Sequence, residues 1–454
     1  MISNNSTEQL NRGLTNRHIQ LMSIGGAIGT GLFMGAGKAI HISGPSIILI
    51  YSFTGLMLFF VMRAMGEILL SNLQYKSFLD FSSILLGPSI GFLIGWTYWL
   101  CWVITCTADI VAICNYTSFW YPHIHDLFPA TLAICCLVGL NLADVKFFGE
   151  VEFWFALIKI LTIFCIVIIT LYIVYNNLVI DSSFLNIWND GNIAPNGLNG
   201  FLEGFQLAIF SFVGIELAGT AAAEVENPKK VLPKAINSIP IRIIFCYVFS
   251  LISIIAITPW YKVDPNHSPF VYMFMTIGLP MGATIVNFTV LLSALSSANS
   301  GVFSASRMLF GLAQLKIAPG FLGKLAKHKV PVNALVVSCL CLFLTYLSIH
   351  YIPNIMSAFM LITSFADILF ILVWSIILLS YIAYRKKFAK LHKDSEYKLP
   401  GGLITCFMAL LFFIFMLVII GLNANMRTAL IIAPVWIILL KLIYNFTKHP
   451  LTKY

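Results

Sequence analysis

Four glycines fall within seven residues in Gly25-Gly26-Ala27-Ile28-Gly29-Thr30-Gly31. Each costs a regular helix about 1 kcal/mol relative to alanine, so the run predicts backbone that leaves the helix. Gly25 and Gly29, four apart, suit close helix packing. Gly26 and Gly31 add a second face, which packing alone does not explain. A second irregular segment, Phe210-Ser211-Phe212-Val213-Gly214-Ile215-Glu216, sets a carboxylate two residues after a glycine inside an apolar run. In lipid, open backbone is tolerated only where it is buried or lines a cavity. There the free N–H groups of a half-helix attract a carboxylate and free carbonyls attract an ammonium. A zwitterionic α-amino acid carries both charges on one carbon, so two such helices crossing form a receptor for it.

Ionisable residues inside apolar segments are functional candidates by default. Lys159 falls roughly six residues, or about 9 Å, into its span. Two readings stay open there. The ammonium snorkels to the inner surface, or it points inward, where low dielectric disfavours its charge and lets it exchange a proton. Glu216 ends the second irregular segment. Asp367 is near mid-membrane by count and serves either as a proton-linked group or as a neutral structural carboxyl. Asp109 is expected at the outer water interface. Arg63 and Glu67, four apart, are expected to pair, and Arg307 to face the cytoplasm. Ser293, Ser296, Ser297, Asn299 and Ser300 cover too many helix faces for one contact, which predicts cavity lining by Ser296, Asn299 and Ser300. Trp96, Tyr98, Trp99 and Trp102 read equally as a gate or as lipid-facing aromatics.

These residues need a scaffold, and the composition says which kind. The chain has 454 residues, 59% hydrophobic and 10% charged, against roughly 45–50% and 25% in soluble proteins. That excludes a soluble multidomain enzyme and a disordered chain. With about 20 apolar residues per crossing, the pattern predicts an all-α integral membrane protein of twelve spans. They are placed at 19–39, 45–64, 91–118, 128–145, 153–175, 199–221, 239–259, 277–306, 334–351, 355–383, 402–422 and 428–447. The irregular first and sixth spans are five apart, which predicts a 5+5 inverted repeat with broken helices 1 and 6. The resulting organisation is a cytoplasmic segment 1–18, a first repeat 19–175, a second repeat 199–383, helices 11 and 12 within 402–447, and a tail 448–454. The stretch 222–238 is read as an inside loop.

The net charge of +9 comes from 27 Lys+Arg and 18 Asp+Glu. The outside connections carry only Lys38, Lys262 and Arg427, so the positive-inside bias places both termini in the cytoplasm. It also explains the charge without a nucleic-acid partner. The ten cysteines sit mostly in apolar runs with no metal-ligand spacing and read as packing residues. No removable signal peptide is expected.

Thr15-Asn16-Arg17-His18-Ile19-Gln20-Leu21, the glycine run, Val61-Met62-Arg63-Ala64-Met65-Gly66-Glu67, Ser211-Phe212-Val213-Gly214-Ile215-Glu216 and Ser297-Ala298-Asn299-Ser300-Gly301 together resemble the bacterial amino acid permeases of the amino acid–polyamine–organocation superfamily. The resemblance runs from about Asn11 to the C-terminus. Phe148-Gly149-Glu150-Val151-Glu152-Phe153-Trp154-Phe155-Ala156 and Ala235-Ile236-Asn237-Ser238-Ile239-Pro240 are similar to the members that carry glycine, D-serine and D-alanine.

The resemblance implies a proton symporter of the bacterial inner membrane, importing small neutral amino acids by alternating access. It implies that Ala27, Thr30 and Gly31 receive the substrate's carboxylate and amino group, and that Phe210 and Val213 offer carbonyls to the ammonium, with Phe210 also a gate. Gly29, Ser211 and Gly214 complete the candidate substrate residues. Lys159 matches the family's lysine at the position where sodium-coupled relatives hold an ion. With Glu216, and Asp367 as a further candidate, it makes the proton-coupling set. The expected energy source is the proton gradient, with no cofactor and no metal. The expected partners are the substrate and the bilayer. The rival readings are a same-family permease for aromatic amino acids, proline or lysine, and an exchanger without proton coupling.

Overall fold

A computed structural model describes residues 28–188, 192–220, 227–326, 329–352, 354–423 and 426–446. All of its regular elements are helical. After Gly29 the chain makes a short helix α1 (Thr30–Phe33), steps at Met34 and continues as α2 (Gly35–Ser43). Gly44 turns the chain at φ 60°, and a Cβ there would meet the Pro195 ring at 2.4 Å. Helix α3 (Ile47–Ser71) follows. Next comes α4 (Phe78–Leu86), capped by the Ser77 hydroxyl accepting from Leu79 N at 3.2 Å. Gly87 at φ 106° and Pro88 then redirect the chain into α5 (Pro88–Ser118).

Helices α6 (Leu127–Leu142) and α7 (Val145–Tyr175) complete the first half. Helix α8 (Gly197–Ser211) stops at Ser211, and helical structure resumes only at α9 (Leu217–Thr220). Between them Gly214 stands at φ 100°, a conformation L side chains avoid. Helix α10 (Pro228–Asn237) leads through α11 (Ile239–Arg242) and a π-helical stretch (Ile243–Val248) into α12 (Phe249–Ile257). Then come α13 (Pro269–Thr276), α14 (Pro280–Gln314), α15 (Val332–Cys341), α16 (Leu344–Tyr351), α17 (Ile355–Lys387), α18 (Ala389–Asp394), α19 (Leu403–Leu422) and α20 (Arg427–Phe446).

Eight helical stretches are long and apolar enough to cross a membrane, and Leu127–Leu142 and Val332–Leu347 are shorter apolar ones. Their outward faces carry Leu, Ile and Phe, as at Ile404, Leu411 and Ile431. The chain is a multi-pass membrane protein. Its core lies where α14 and α17 pack along α5. Tyr98 and Trp102 of α5 meet Phe370 edge-on, and Phe370 leans on Trp374 at 5.5 Å.

Several expectations need correction. Residues 228–237 of the stretch read as a loop form helix α10, started by Pro228 in its first turn. Helix α4 was not anticipated, because nine residues between polar flanks are too few for a span. Lys159 lies fourteen residues, about 21 Å, from the start of α7, since that helix begins at Val145 rather than 153. Asp109 is fully buried, not at the water interface. Arg63 and Glu67 do not pair. Arg63 donates to Asn237 Oδ1 at 2.7 Å and to the Lys398 carbonyl, and stacks over Tyr397. Glu67 lies 2.6 Å from His392 Nδ1 and accepts from Leu399 N at 2.8 Å. The 1–18 and 448–454 segments lie outside the described residues.

Candidate functional site

The end of α8 crosses the start of α1 at its closest point. A Cβ on Gly31 would sit 2.5 Å from Ser211 Cα and 2.8 Å from Ser211 N, so only glycine lets these backbones touch. Ser211 is fixed from two other elements. The Tyr51 hydroxyl of α3 is 2.8 Å from Ser211 Oγ, and Tyr247 of the π-helical stretch donates to Ser211 O at 2.8 Å. Beside the crossing is a small cavity lined by Gly29, Thr30, Gly31, Thr105, Phe210, Ser211, Val213 and Ser297. The space open to the centre of a water-sized sphere is about 10 Å³, close to what a single water needs. The Phe210 ring meets Phe359 of α17 edge-on, with centroids 5.6 Å apart.

Of the eight residues expected to contact substrate, Gly29, Thr30, Gly31, Phe210, Ser211 and Val213 line this cavity. Gly214 makes the turn beyond it. Ala27 lies outside the described residues. Phe210 O accepts from Val213 N at 3.1 Å, using one of the carbonyl's two lone pairs. Thr30 Oγ1 donates to Asp109 Oδ1 at 2.6 Å, which ties α1 to α5. Asp109 Oδ2 is buried and has no hydrogen-bond partner among the described residues. On α14, Ser293 donates to Ile28 O at 2.9 Å.

Glu216 is buried at the restart of the helix, accepting from Tyr98 at 3.3 Å and from Gly214 N at 3.3 Å. Asp367 Oδ2 accepts from Gln206 Nε2 at 2.8 Å, joining α17 to α8. Lys159 points inward and is completely buried, so the snorkelling reading is lost. It donates to Ser296 Oγ at 2.9 Å, and Ser296 donates to Glu152 Oε2 at 2.8 Å. Asn299 donates to Glu152 Oε1 at 2.7 Å and accepts from Asn141 at 2.8 Å. Ser296 and Asn299 therefore face α7. Ser297, one position round the helix, faces the cavity; Ser300 is buried on the same helix. The aromatic cluster turns into the protein: Trp96 donates to Ile317 O at 3.3 Å, Trp99 to Ser338 at 3.1 Å, and Tyr98 and Trp102 are buried.

Sequence reasoning missed Thr105, Asp109 and Glu152, and left Ser297 out of the cavity. Helical spacing held one signal. Ser293 and Ser297 are four apart on one face, while Ser296 and Asn299 are three apart on another.

Residues 18–451 match the amino acid permease family. The chain belongs to that family. This permease is 54% identical to the D-serine/D-alanine/glycine transporter of Escherichia coli strain K12, over 97% of this chain and 94% of that one. It is 40% identical to the DL-alanine permease of Lactococcus lactis, over 96% and 95% of the two chains. Its fold is similar to that of the Eremococcus coleocola manganese transporter, with a TM-score of 0.61 at 10% identity over 98% of both chains. The family consists of amino acid transport proteins rather than enzymes, and this permease is one of them.

Proposed function

We propose that the permease is a proton-coupled symporter that imports glycine, D-serine and D-alanine across the bacterial inner membrane by alternating access. One observation carries this reading: the short helix α1 and the end of α8 touch at Gly31 and Ser211 beside a small cavity. In it, Thr30 and Gly31 hold the substrate carboxylate, and the carbonyls near Phe210 and Val213 hold its ammonium. Phe210 against Phe359 closes the side-chain end, leaving room for little beyond a methyl or hydroxymethyl group. Swapping hydrogen and side chain on so small a substrate changes little volume, in keeping with the substrates for which these relatives are named.

The energy source in this reading is the proton gradient, and no cofactor is involved. Lys159 is the coupling residue, with Glu216 and Asp367 as further candidates. The eight long helices, the two shorter ones and the two interrupted segments support twelve spans in a 5+5 inverted repeat. The Lys and Arg distribution supports cytoplasmic termini.

The test is uptake of labelled glycine into proteoliposomes, with and without an inward proton gradient, competed by D-serine, D-alanine, L-phenylalanine, L-proline and L-lysine. Gradient-dependent uptake blocked by the two D-amino acids is expected. Block by a larger L-amino acid reassigns the substrate, and indifference to the gradient leaves an exchanger. In Lys159→Ala, gradient-driven accumulation is expected to vanish while substrate binding partly survives. Full accumulation in that variant removes Lys159 from the mechanism.

A further inference from the structure

Glu152 and Lys159 lie seven residues, about 10 Å, apart along α7, and both are completely buried. The Ser296 hydroxyl of α14 bridges them, accepting from Lys159 Nζ at 2.9 Å and donating to Glu152 Oε2 at 2.8 Å. Two buried opposite charges compensate one another only when their remaining hydrogen-bonding capacity is met. Here Asn299 occupies the other Glu152 oxygen at 2.7 Å and is itself held by Asn141 at 2.8 Å.

We infer that Glu152 is the proton acceptor for Lys159, reached through the Ser296 hydroxyl. This inference rests on the proton-symport reading and names the inward exit of that proton. The step balances. Ser296 passes its hydroxyl proton to Glu152 Oε2 while taking one from Lys159 Nζ. One N–H and one O–H bond break, and two O–H bonds form. The ammonium and carboxylate become an amine and a carboxylic acid, and the serine is unchanged. Charge separation is removed without any ion leaving the protein. Glu152, seven residues nearer the N-terminal end of α7, then yields the proton when that end opens to water.

Among the described residues, the side chains that hydrogen-bond to Glu152 are neutral. The α14 groups on Glu152, Ser296 and Asn299, are neutral, and so is Asn141 of α6. The packed helix α12 (Phe249–Ile257) carries no Asp, Glu, Lys, Arg or His. Arg307, the charged residue of α14, lies over the Phe303 ring at 3.3 Å. Asp109 of α5 is a further charged group that acts on Lys159.

The test uses the full-length protein in proteoliposomes and two readouts: glycine counterflow without a gradient, and glycine accumulation driven by a proton gradient, the latter across a pH series. Glu152→Gln keeps the shape and the bond from Asn299 but accepts no proton. It is expected to show counterflow near the wild-type rate, with accumulation lower by roughly tenfold or more and a flattened pH profile. Ser296→Thr keeps a hydroxyl and is expected to accumulate glycine, whereas Ser296→Ala is not. Wild-type accumulation and pH profile in Glu152→Gln overturn the relay alone. Equal loss of counterflow and accumulation in a folded Glu152→Gln also overturns it, in favour of a purely structural role. Wild-type uptake indifferent to the gradient overturns the symport reading and the relay with it.

Discussion

Ser211 Cα sits 2.5 Å from the point where Gly31 would carry a Cβ. The contact is backbone to backbone, so no side chain can swing aside to relieve a methyl group. Gly31→Ala must push α1 and α8 apart, an overpacking cost of about 1–3 kcal/mol. Glycine uptake is expected to fall by roughly tenfold or more, with a lower melting temperature in detergent. Normal uptake in this variant would show that the crossing is not the site.

Thr30 and Asp109 give a second test. Thr30→Val keeps the shape and strands Asp109 Oδ1, buried and already short of a partner on its other oxygen. An unsatisfied buried acceptor costs about 1–3 kcal/mol, so both stability and apparent affinity should drop. Thr30→Ser restores the donor and should restore both. If serine and valine behave alike, the hydroxyl is not what matters.

Asp367 and Gln206 decide an alternative that the sequence left open. Asp367 Oδ1 and Gln206 Oε1 are both buried without partners. Asp367→Asn offers N–H to one and keeps an acceptor for Gln206, so a structural carboxyl predicts near-normal stability and accumulation. Asp367→Leu strands the Gln206 amide and should cost about 1–3 kcal/mol. Lost gradient-driven accumulation in Asp367→Asn, with stability intact, would instead make Asp367 a second proton site.

The Glu67 contacts pin residues 392–399 against the end of α3. Glu67→Ala removes the acceptor for both His392 and Leu399 N. Amide hydrogen exchange across 388–399 should accelerate, while the helices of the cavity remain protected. Unchanged exchange would mean that Arg63, stacked on Tyr397, holds the segment without Glu67.

The crossing was legible because its signals are local. Gly31 and Gly214 are expensive in any helix, which marked both segments as irregular. Lys159 was legible as an inward candidate, but its depth was not. The apolar count started the span at 153, whereas the helix starts at Val145. That choice put Glu152 outside the membrane on paper and hid the partner seven residues away. Asp109 was misplaced for a related reason. Depth counted along an apolar run ignores which face a residue presents, and Thr30, its partner, is 79 positions distant. No local pattern reports a contact of that separation.

The grip on Ser211 also divides the molecule mechanically. Tyr51, Tyr247 and Gly31 hold α1, α3, α8 and the π-helical stretch together through backbone contact and two hydroxyls. Toward α5 and α14, the polar ties from the first segment are Thr30 to Asp109 and Ser293 to Ile28, each worth about 0.5–1.5 kcal/mol. The cavity lies on that weaker seam. Parting the seam breaks side-chain bonds that water can replace, whereas parting the other group means prising two backbones from direct contact, so an opening beside the cavity costs least along that seam.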